Sequence, residues 1–198
     1  MARTTWVTAD THFGHAEALE MFGRASRFAT TAQMDSAYIE AINSRVGPDD
    51  RLIHLGDFTG PMKRRARREY ASDIRRRIRC QRIVLVRGNH DPVDDRRFDG
   101  LFESVHDLLR LRRKSWGGCV ICSHYPLRVW QGQRDGSALL YAHTHGTVAE
   151  LGRSTDVGVD QWHDAPVRLE QLVAMLNERP IECQTDFTRY QQVRESLP

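Results

Sequence analysis

The sequence is poor in lysine, in cysteine and in long apolar runs. Of its 29 basic residues only Lys63 and Lys114 are lysine, so almost all of the positive charge is arginine. The four cysteines lack the density of a disulfide framework, and we therefore expect a reducing, cytoplasmic location. No apolar stretch approaches the ~20 residues of a membrane span, and the first residues lack the apolar segment typical of a secretory signal.

The 198 residues are enough for one domain with a continuous buried core, and 40% hydrophobic residues exclude a disordered chain. No internal repeat, low-complexity tract or linker divides the chain. We predict a single domain over residues 1–198, in which residues 6–176 form a motif-bearing core and residues 177–198 a C-terminal extension.

Five short apolar runs are each typical of a buried β-strand, and Asp, Gly or His follows each of them within two residues. They are residues 6–9, 52–55, 83–86, 119–122 and 139–142. Helical periodicity lies between or after them, over residues 30–42, 66–78 and 167–176, and Thr30 and Gln33 predict a capping box at the first of these helices. This alternation predicts a mixed α/β fold.

Metal-ligand side chains follow all five runs: Asp10 and His12, Asp57, Asn89, His124, and His143 and His145. Since ligands gather beyond the carboxyl ends of strands in α/β sheets, we expect these side chains to converge. On an extended backbone residues i and i+2 point to the same side, so each Asp-x-His or His-x-His pair should face one region. Seven oxygen and nitrogen ligands suit two ions with a shared carboxylate, ~3.5–4 Å apart.

These motifs resemble those of the calcineurin-like metallophosphoesterase superfamily, and in particular its small single-domain members. The pattern D-x-H, G-D, G-N-H-[DE], a lone His and H-x-H runs in order from Asp10 to His145, and residues 156–160 and Pro166 are also similar. Ala142 stands where the family has glycine, and we expect a local backbone adjustment there. The resemblance implies a four-layer αββα sandwich of two mixed β-sheets flanked by helices, with a dimetal site at the carboxyl ends of the strands.

The resemblance also implies a role for each ligand. Asp10, His12 and His145 would hold one metal ion, Asn89, His124 and His143 would hold the second, and Asp57 would bridge both. His90 would stand beside the leaving-group oxygen, with Asp91 orienting it. A metal-bridging hydroxide would then hydrolyse a phosphodiester or an accessible phosphomonoester. Such ligands suit Mn²⁺, Fe, Ni²⁺ or Zn²⁺, and we favour Mn²⁺ for activity.

Three further residues are candidate substrate contacts or partners of the ligands: His15, Arg87 and Arg128. His15 could equally be an ordinary helix-start residue. Cys119 and Cys122 have the spacing of a redox motif, but residues three apart on a strand face opposite sides, so we interpret them as small buried hydrophobes.

An arginine-rich segment, residues 61–82, contains ten basic and two acidic residues. A solvated helix face is the favoured interpretation. The alternative is a track for nucleic acid, which would make the protein a nuclease or RNA-processing phosphodiesterase. A non-catalytic, metal-stabilised binding module and a cyclic-nucleotide or nucleotide-pyrophosphate hydrolase also remain open.

Overall fold

The computed structural model describes residues 3–91 and 100–183, so residues 184–198 of the predicted C-terminal extension lie outside the described residues. The described part contains nine strands and four α-helices. The strands are β1 (Thr5–Thr8), β2 (Arg51–His54), β3 (Arg82–Val86), β4 (Ser104–His106), β5 (Leu108–Arg112), β6 (Cys119–Ser123), β7 (Ala138–Tyr141), β8 (Ser154–Asp156) and β9 (Val167–Arg168). The helices are α1 (Ala18–Met21), α2 (Thr31–Arg45), α3 (Arg64–Arg77) and α4 (Leu169–Asn177).

The strands form two mixed sheets. The first has the order β4-β3-β2-β1-β9, in which β1 to β4 are parallel and β9 pairs antiparallel with β1. The second has the order β5-β6-β7-β8, in which β5 runs antiparallel to β6 and the other pairs are parallel. All five predicted strands are confirmed, as β1, β2, β3, β6 and β7.

Side chains of the first sheet alternate between two buried clusters. One face, which includes Trp6, Leu52 and Ile83, packs with α2 and α3. The opposite face, which includes Val7 and Ile53, packs with the inner face of β6 and β7 and with α4. Burial on both faces explains why these strands have continuous apolar runs instead of a polar alternation.

The second sheet alternates in the same way. Val120 and Cys122 join the cluster between the sheets, whereas Cys119 and Ile121 face outward and pack with Trp130. Cys119 and Cys122 therefore lie on opposite faces of β6, as predicted, and both thiols are free. The predicted architecture of two mixed sheets flanked by helices is confirmed. Its helical layer in the described residues is α2 and α3 on the first sheet, while loop side chains cover the outer face of the second.

The helix ends follow local signals. The Gln33 N–H donates to Thr30 Oγ1 at 3.2 Å and Gln33 Oε1 accepts from the Ala29 N–H at 2.8 Å, so the predicted capping interaction is formed. The helix predicted over 167–176 begins only at Leu169, because Val167 and Arg168 pair with β1 as β9. None of the helices in the described ranges has the length and apolar character needed to cross a bilayer.

The arginines of and after α3 are largely used within the protein. The Arg75 guanidinium donates to three carbonyl oxygens, among them Leu101 O at 2.9 Å. Arg79 donates to Asn43 O, and Arg65 and Arg76 pair with acidic residues on the same helix. These contacts favour the structural interpretation of the segment over a nucleic-acid track.

Candidate metal centre

The predicted ligands converge beyond the ends of β1, β2, β3, β6 and β7. Three groups of side chains have ligand atoms within 4.8 Å of one another: Asp10, His12 and His145; His12, Asp57 and His90; and Asp57, His124 and His143. His12 links the first two groups and Asp57 links the last two. Segments far apart in the sequence therefore form one continuous site.

The backbone at five of the seven predicted ligands is left-handed and not extended. The φ angles are +54° at Asp10, +48° at His12, +51° at Asp57, +72° at His143 and +47° at His145. Positive φ is uncommon for residues other than glycine and concentrates at functional sites. The prediction that each i, i+2 pair lies on an extended backbone is therefore wrong. Asp10 and His12 share a group, whereas His143 and His145 contribute to different groups.

Asp57 lies at the middle of the site. Its Oδ2 is 3.5 Å from His12 Nε2, 3.6 Å from His124 Nε2 and 4.0 Å from His90 Nε2. Its Oδ1 accepts a hydrogen bond from the His90 N–H at 2.9 Å, which fixes the carboxylate. One oxygen thus faces histidine nitrogens from three separate segments of the chain.

Two glycines allow the loops around Asp57 to approach one another. A Cβ on Gly88 would lie 2.2 Å from Asp57 Oδ1 and 2.5 Å from its backbone nitrogen. Gly56 has φ +96°, and a Cβ there would lie 2.6 Å from His124 Nδ1. No other residue fits at either position without displacing a ligand.

Two buried polar atoms in the first group have no hydrogen-bond partner, Asp10 Oδ1 and His12 Nε2. Burial and the charges of Asp57 and Asp156 raise the pKa of Asp10 well above its usual range. Burial, together with the charge of Arg24, lowers the pKa of His12, so its ring is neutral and can offer a lone pair. Orphaned buried donors and acceptors are costly, and a divalent cation satisfies both atoms. The residues present therefore fit a metal ion.

Hydrogen bonds to Nδ1 leave Nε2 of two histidines available as a ligand. His124 Nδ1–H donates to Leu55 O at 2.8 Å, and His145 Nδ1–H donates to Asp160 Oδ2 at 2.8 Å. This arrangement fixes the tautomer and ring orientation of metal-binding histidines. The Oδ1 atom of the exposed Asn89 lies 3.1 Å from His124 Nε2, so the predicted amide ligand also reaches the site.

Arg24 and Asp160 belong to the site although sequence reasoning missed both as functional residues. The Arg24 side chain is fully buried; it forms a two-point ion pair with Asp160 and donates to Asp10 O at 2.7 Å. Asp160 in turn accepts from His145. Asp160 lies in residues 156–160, which resemble the family, so the sequence could have indicated it. No sequence feature distinguishes Arg24 from the other arginines, of which the chain has 27 in all.

Asp156 holds the turn that carries His143 and His145. Its Oδ2 accepts from Thr144 Oγ1 at 2.9 Å and from the Gly146 N–H at 3.1 Å. Before this turn, Ala142 is buried between the sheets and its N–H donates to His124 O at 3.0 Å. Alanine in place of the family glycine is therefore compatible with the convergence of both histidines.

The Asp91 carboxylate contacts the backbone around Asp57. Its Oδ2 accepts from the Asp57 and Gly88 N–H groups, both at 2.8 Å, and its Oδ1 accepts from the Phe58 N–H at 3.2 Å. Burial raises the pKa of this carboxyl to about 7. Asp91 therefore ties together the backbone that presents Asp57, and its orientation of the His90 ring stays a prediction.

The three candidate neighbours have different surroundings. His15 is buried, and its Nδ1 lies 3.3 Å from His12 Nδ1, so it contacts a ligand directly. Arg87 lies beyond β3 and forms an ion pair with Asp107. Arg128 lines a groove on the outer side of the second sheet, together with Leu139 and other residues. Of the three, the structure brings His15 to the ligand groups.

The protein has two mixed sheets whose strands are mostly parallel. Carboxylates, histidines and an asparagine lie at the strand ends, as in α/β metallohydrolases. The calcineurin-like phosphoesterase family model matches residues 3–182, and the chain belongs to this family. The protein is thus a hydrolase acting on phosphoester bonds. The family depends on two metal ions, and the chain has candidate ligand groups for them.

Individual relatives are similar over most of the chain. The Gene 66 protein of Mycobacterium phage L5 is 28% identical over 188 residues, which cover 80% of this chain and 87% of that protein. The crystal structure of the protein of unknown function AQ665 from Aquifex aeolicus matches with a TM-score of 0.65 and 21% identity, over 88% of this chain and 100% of that one. The Pseudomonas putida nuclease MPE matches with a TM-score of 0.46 and 23% identity, over 72% and 61%. The AQ665 match shows the shared fold.

Proposed function

We propose that this protein is a dimetal phosphoesterase that hydrolyses phosphodiesters, and accessible phosphomonoesters, with His90 assisting the leaving group. The observation that carries the proposal is the position of Asp57 Oδ2, which faces His12, His124 and His90 within 4.0 Å. A carboxylate oxygen shared in this way is the bridging ligand that a pair of cations requires.

Two of the three groups support the ligand roles that we propose. Asp10, His12 and His145 would hold one ion, and Asn89, His124 and His143 the other, with Asp57 between them. Two bound divalent ions would supply a water acidic enough to act as a nucleophile near neutral pH. Only two carboxylates stand among the seven ligands, so the chain leaves a net positive centre for an anionic phosphoryl group.

His90 is suited to act on the substrate and not only on a metal. Its side chain is 28% exposed, whereas His12 and His124 are almost fully buried. Its backbone N–H is fixed by Asp57, while its partly exposed ring lies with Nε2 4.0 Å from Asp57 Oδ2. A protonated His90 at this place can donate to the oxygen of the departing alcohol, which contributes about 10²–10⁴-fold in rate.

Manganese is the ion we favour for activity, because carboxylate, amide and imidazole ligands together accept Mn²⁺, while Fe, Ni²⁺ and Zn²⁺ remain alternatives. The cysteines within the described ranges are free thiols, which fits a reducing compartment such as the cytoplasm.

The test compares bis-p-nitrophenyl phosphate with p-nitrophenyl phosphate, using protein treated with EDTA and then supplied with Mn²⁺. We expect Mn²⁺-dependent release of p-nitrophenol, faster from the diester. Asp57→Asn is the matched inactive control, because it keeps the shape of the side chain and removes the shared charge. Hydrolysis of neither ester, or full activity of Asp57→Asn, would contradict the proposal.

A further inference from the structure

Two exposed apolar side chains lie at the two ends of the metal centre. Met21, which ends α1, is 67% exposed, and the next residue, Phe22, stacks on His145 with ring centroids 3.5 Å apart. Tyr125 is 46% exposed, and its ring centroid lies 5.0 Å from His124 and 4.9 Å from His143.

Phe22 and Tyr125 contact different ligand groups, and these two groups have no residue in common. His145 belongs to the group with Asp10 and His12, whereas His124 and His143 belong to the group with Asp57. The centre therefore has an apolar side chain beside each of its outer ligand groups, with His90 between them.

A cleft of about 550 Å³ opens beside Met21 and reaches one ligand of each outer group. Met21, Phe22, Thr144 and Thr147 line it together with His143 and His145. The hydroxyls of both threonines donate within the protein, to Asp156 and to Thr144 O. This volume lies in the range of small-molecule sites.

Within the cleft, Met21 is the exposed apolar side chain that can contact a ligand. One face of Phe22 is covered by His145, and the Arg24 Cζ atom lies 5.1 Å from the same ring, so Phe22 serves as a wall. A methionine thioether adapts to flat ligands and contacts aromatic rings favourably. Tyr125 offers a rigid ring at the other end, and such rings stack with planar groups.

We infer that Met21 and Tyr125 are specificity-determining residues that bind the two organic groups of a phosphodiester, one at each end of the centre. The preferred groups are planar aromatic rings, as in nucleoside phosphodiesters. The inference rests on the proposed function, because it assumes that the phosphoryl group lies over the ligands. A monoester has one organic group and can use only one of the two contacts, so the arrangement selects diesters.

The first test measures binding and not turnover. Zinc-loaded protein with ¹³C-methyl methionine is titrated with diphenyl phosphate and, separately, with dimethyl phosphate. A phenyl ring beside Met21 shifts its methyl resonance, so we expect a shift with diphenyl phosphate and none with dimethyl phosphate. The methyl of Met175, on α4, serves as the internal reference. A Met21 resonance that diphenyl phosphate leaves unmoved would overturn the inference.

The second test uses diphenyl phosphate as a competitive inhibitor of methyl p-nitrophenyl phosphate hydrolysis. Met21→Ala and Tyr125→Ala should each weaken this inhibition by about tenfold, the scale of a lost stacking contact. Tyr125→Phe keeps the ring and should keep the inhibition, and Val129→Ala is the control at another exposed apolar residue.

The outcomes of the two tests separate the subsites from the activity itself. Dimethyl phosphate has no ring, so its inhibition should be the same in all four variants as in the parent. Equal losses for dimethyl and diphenyl phosphate, or no loss for either, would overturn the two subsites. Absence of any hydrolysis would instead contradict the proposed function, and the methyl shift would still decide whether Met21 meets an aromatic ester.

Discussion

Arg24 and Asp160 form a two-point ion pair across 136 residues of sequence, with Arg24 Nε 3.0 Å from Asp160 Oδ1 and Arg24 Nη2 2.6 Å from Oδ2. Oδ2 also accepts from His145 at 2.8 Å, and the guanidinium donates to Asp10 O. Burial alone would raise the pKa of Asp160, but these hydrogen bonds outweigh it and hold the pKa below its usual range. One buried pair thus fixes two strand-end loops that carry ligands.

We predict that Asp160→Asn weakens both metal binding and folding. Loss of the partner that orients a ligating histidine costs about 10–100-fold in metal affinity. Leaving a buried guanidinium without its counter-charge should lower the free energy of unfolding by about 3–5 kcal/mol. Calorimetric titration with Mn²⁺ and urea unfolding measure the two effects.

The matched control for this variant is Asp164→Asn. Asp164 pairs with Arg27 at the protein surface, where both side chains are partly exposed. An exposed pair contributes about 0.2–1 kcal/mol, and Asp164 does not contact His145. Equal effects of the two variants would mean that the Arg24–Asp160–His145 chain has no special role.

We predict that Gly88→Ala abolishes metal binding, because its Cβ would lie 2.2 Å from Asp57 Oδ1 and must push the shared carboxylate aside. Gly118→Ala is the control, since its Cβ meets its neighbours at 3.4 Å, an ordinary contact distance. Metal content after dialysis against Mn²⁺ distinguishes the two. A Gly88→Ala protein that retained both ions would refute the close packing of these loops.

The sequence predicted the strands that are buried on both faces, since only there is the apolar run continuous. It could not predict β4, β8 and β9, which have two or three residues each and gain their partners only in the assembled sheets. β5 was not predicted for another reason. Its residues alternate between exposed and half-buried, and two of them are arginines, which are common throughout this chain.

At the site, the ligands were predictable because they follow strands in a recognisable order, but their backbone was not. Left-handed φ at Asp10 or His145 has no marker in the residue types and arises from the packing of neighbouring loops. The contacts of Asp91 were not predictable either. Its carboxylate accepts from backbone N–H groups 33 and 34 residues away, which no local sequence pattern indicates.

We predict that His90→Ala lowers kcat by about 10²–10⁴-fold without loss of metal. The variant keeps the backbone N–H that fixes Asp57, so the ligand groups should persist. A proton donor matters most for a basic leaving group, and the loss should therefore be larger for phenyl than for p-nitrophenyl esters. A loss independent of the leaving group would contradict proton donation, and unchanged activity would favour the binding-module alternative.

Glu103 provides a pH-dependent contribution to stability. Hydrogen bonds from Arg51 and Arg82 lower the pKa of Glu103. They outweigh the opposing effect of burial and hold the pKa below its usual 4.5. A carboxyl whose pKa is lower in the folded state stabilises the fold at pH values above its unfolded-state pKa. This stabilisation is lost as the pH falls through the folded-state pKa. Glu103→Gln should therefore cost about 0.5–1 kcal/mol at pH 7, and the difference should close below pH 4.5.

Urea unfolding of both proteins at a series of pH values measures this difference. Glu69→Gln serves as the comparison, because its pair with Arg65 is highly exposed and confined to one turn of α3. A gap between Glu103→Gln and the parent that did not change with pH would show that packing and not charge accounts for it.

We predict that Asp10→Asn has effects of opposite sign with and without metal. In EDTA the buried Asp10 Oδ1 lacks a partner and stands near Asp57 and Asp156, so removal of the charge should leave stability unchanged or higher. Asparagine can still accept the His143 N–H through the oxygen that replaces Oδ2. With Mn²⁺ at 100 times its Kd the parent gains about 2.7 kcal/mol per site, and the variant should gain less.

Chemical unfolding in EDTA and in Mn²⁺ measures the free energies of unfolding of Asp10→Asn and its parent and shows whether their order reverses. Asp35→Asn is the control: this carboxylate is also buried and accepts from Tyr70 and Gly14, but it belongs to none of the ligand groups. Its effect on stability should be the same in both conditions. If Asp10→Asn were less stable than its parent even in EDTA, Asp10 would stabilise the fold itself. If the order of stability reverses between EDTA and Mn²⁺ for Asp10→Asn and not for Asp35→Asn, the burial of Asp10 is favourable only beside a cation.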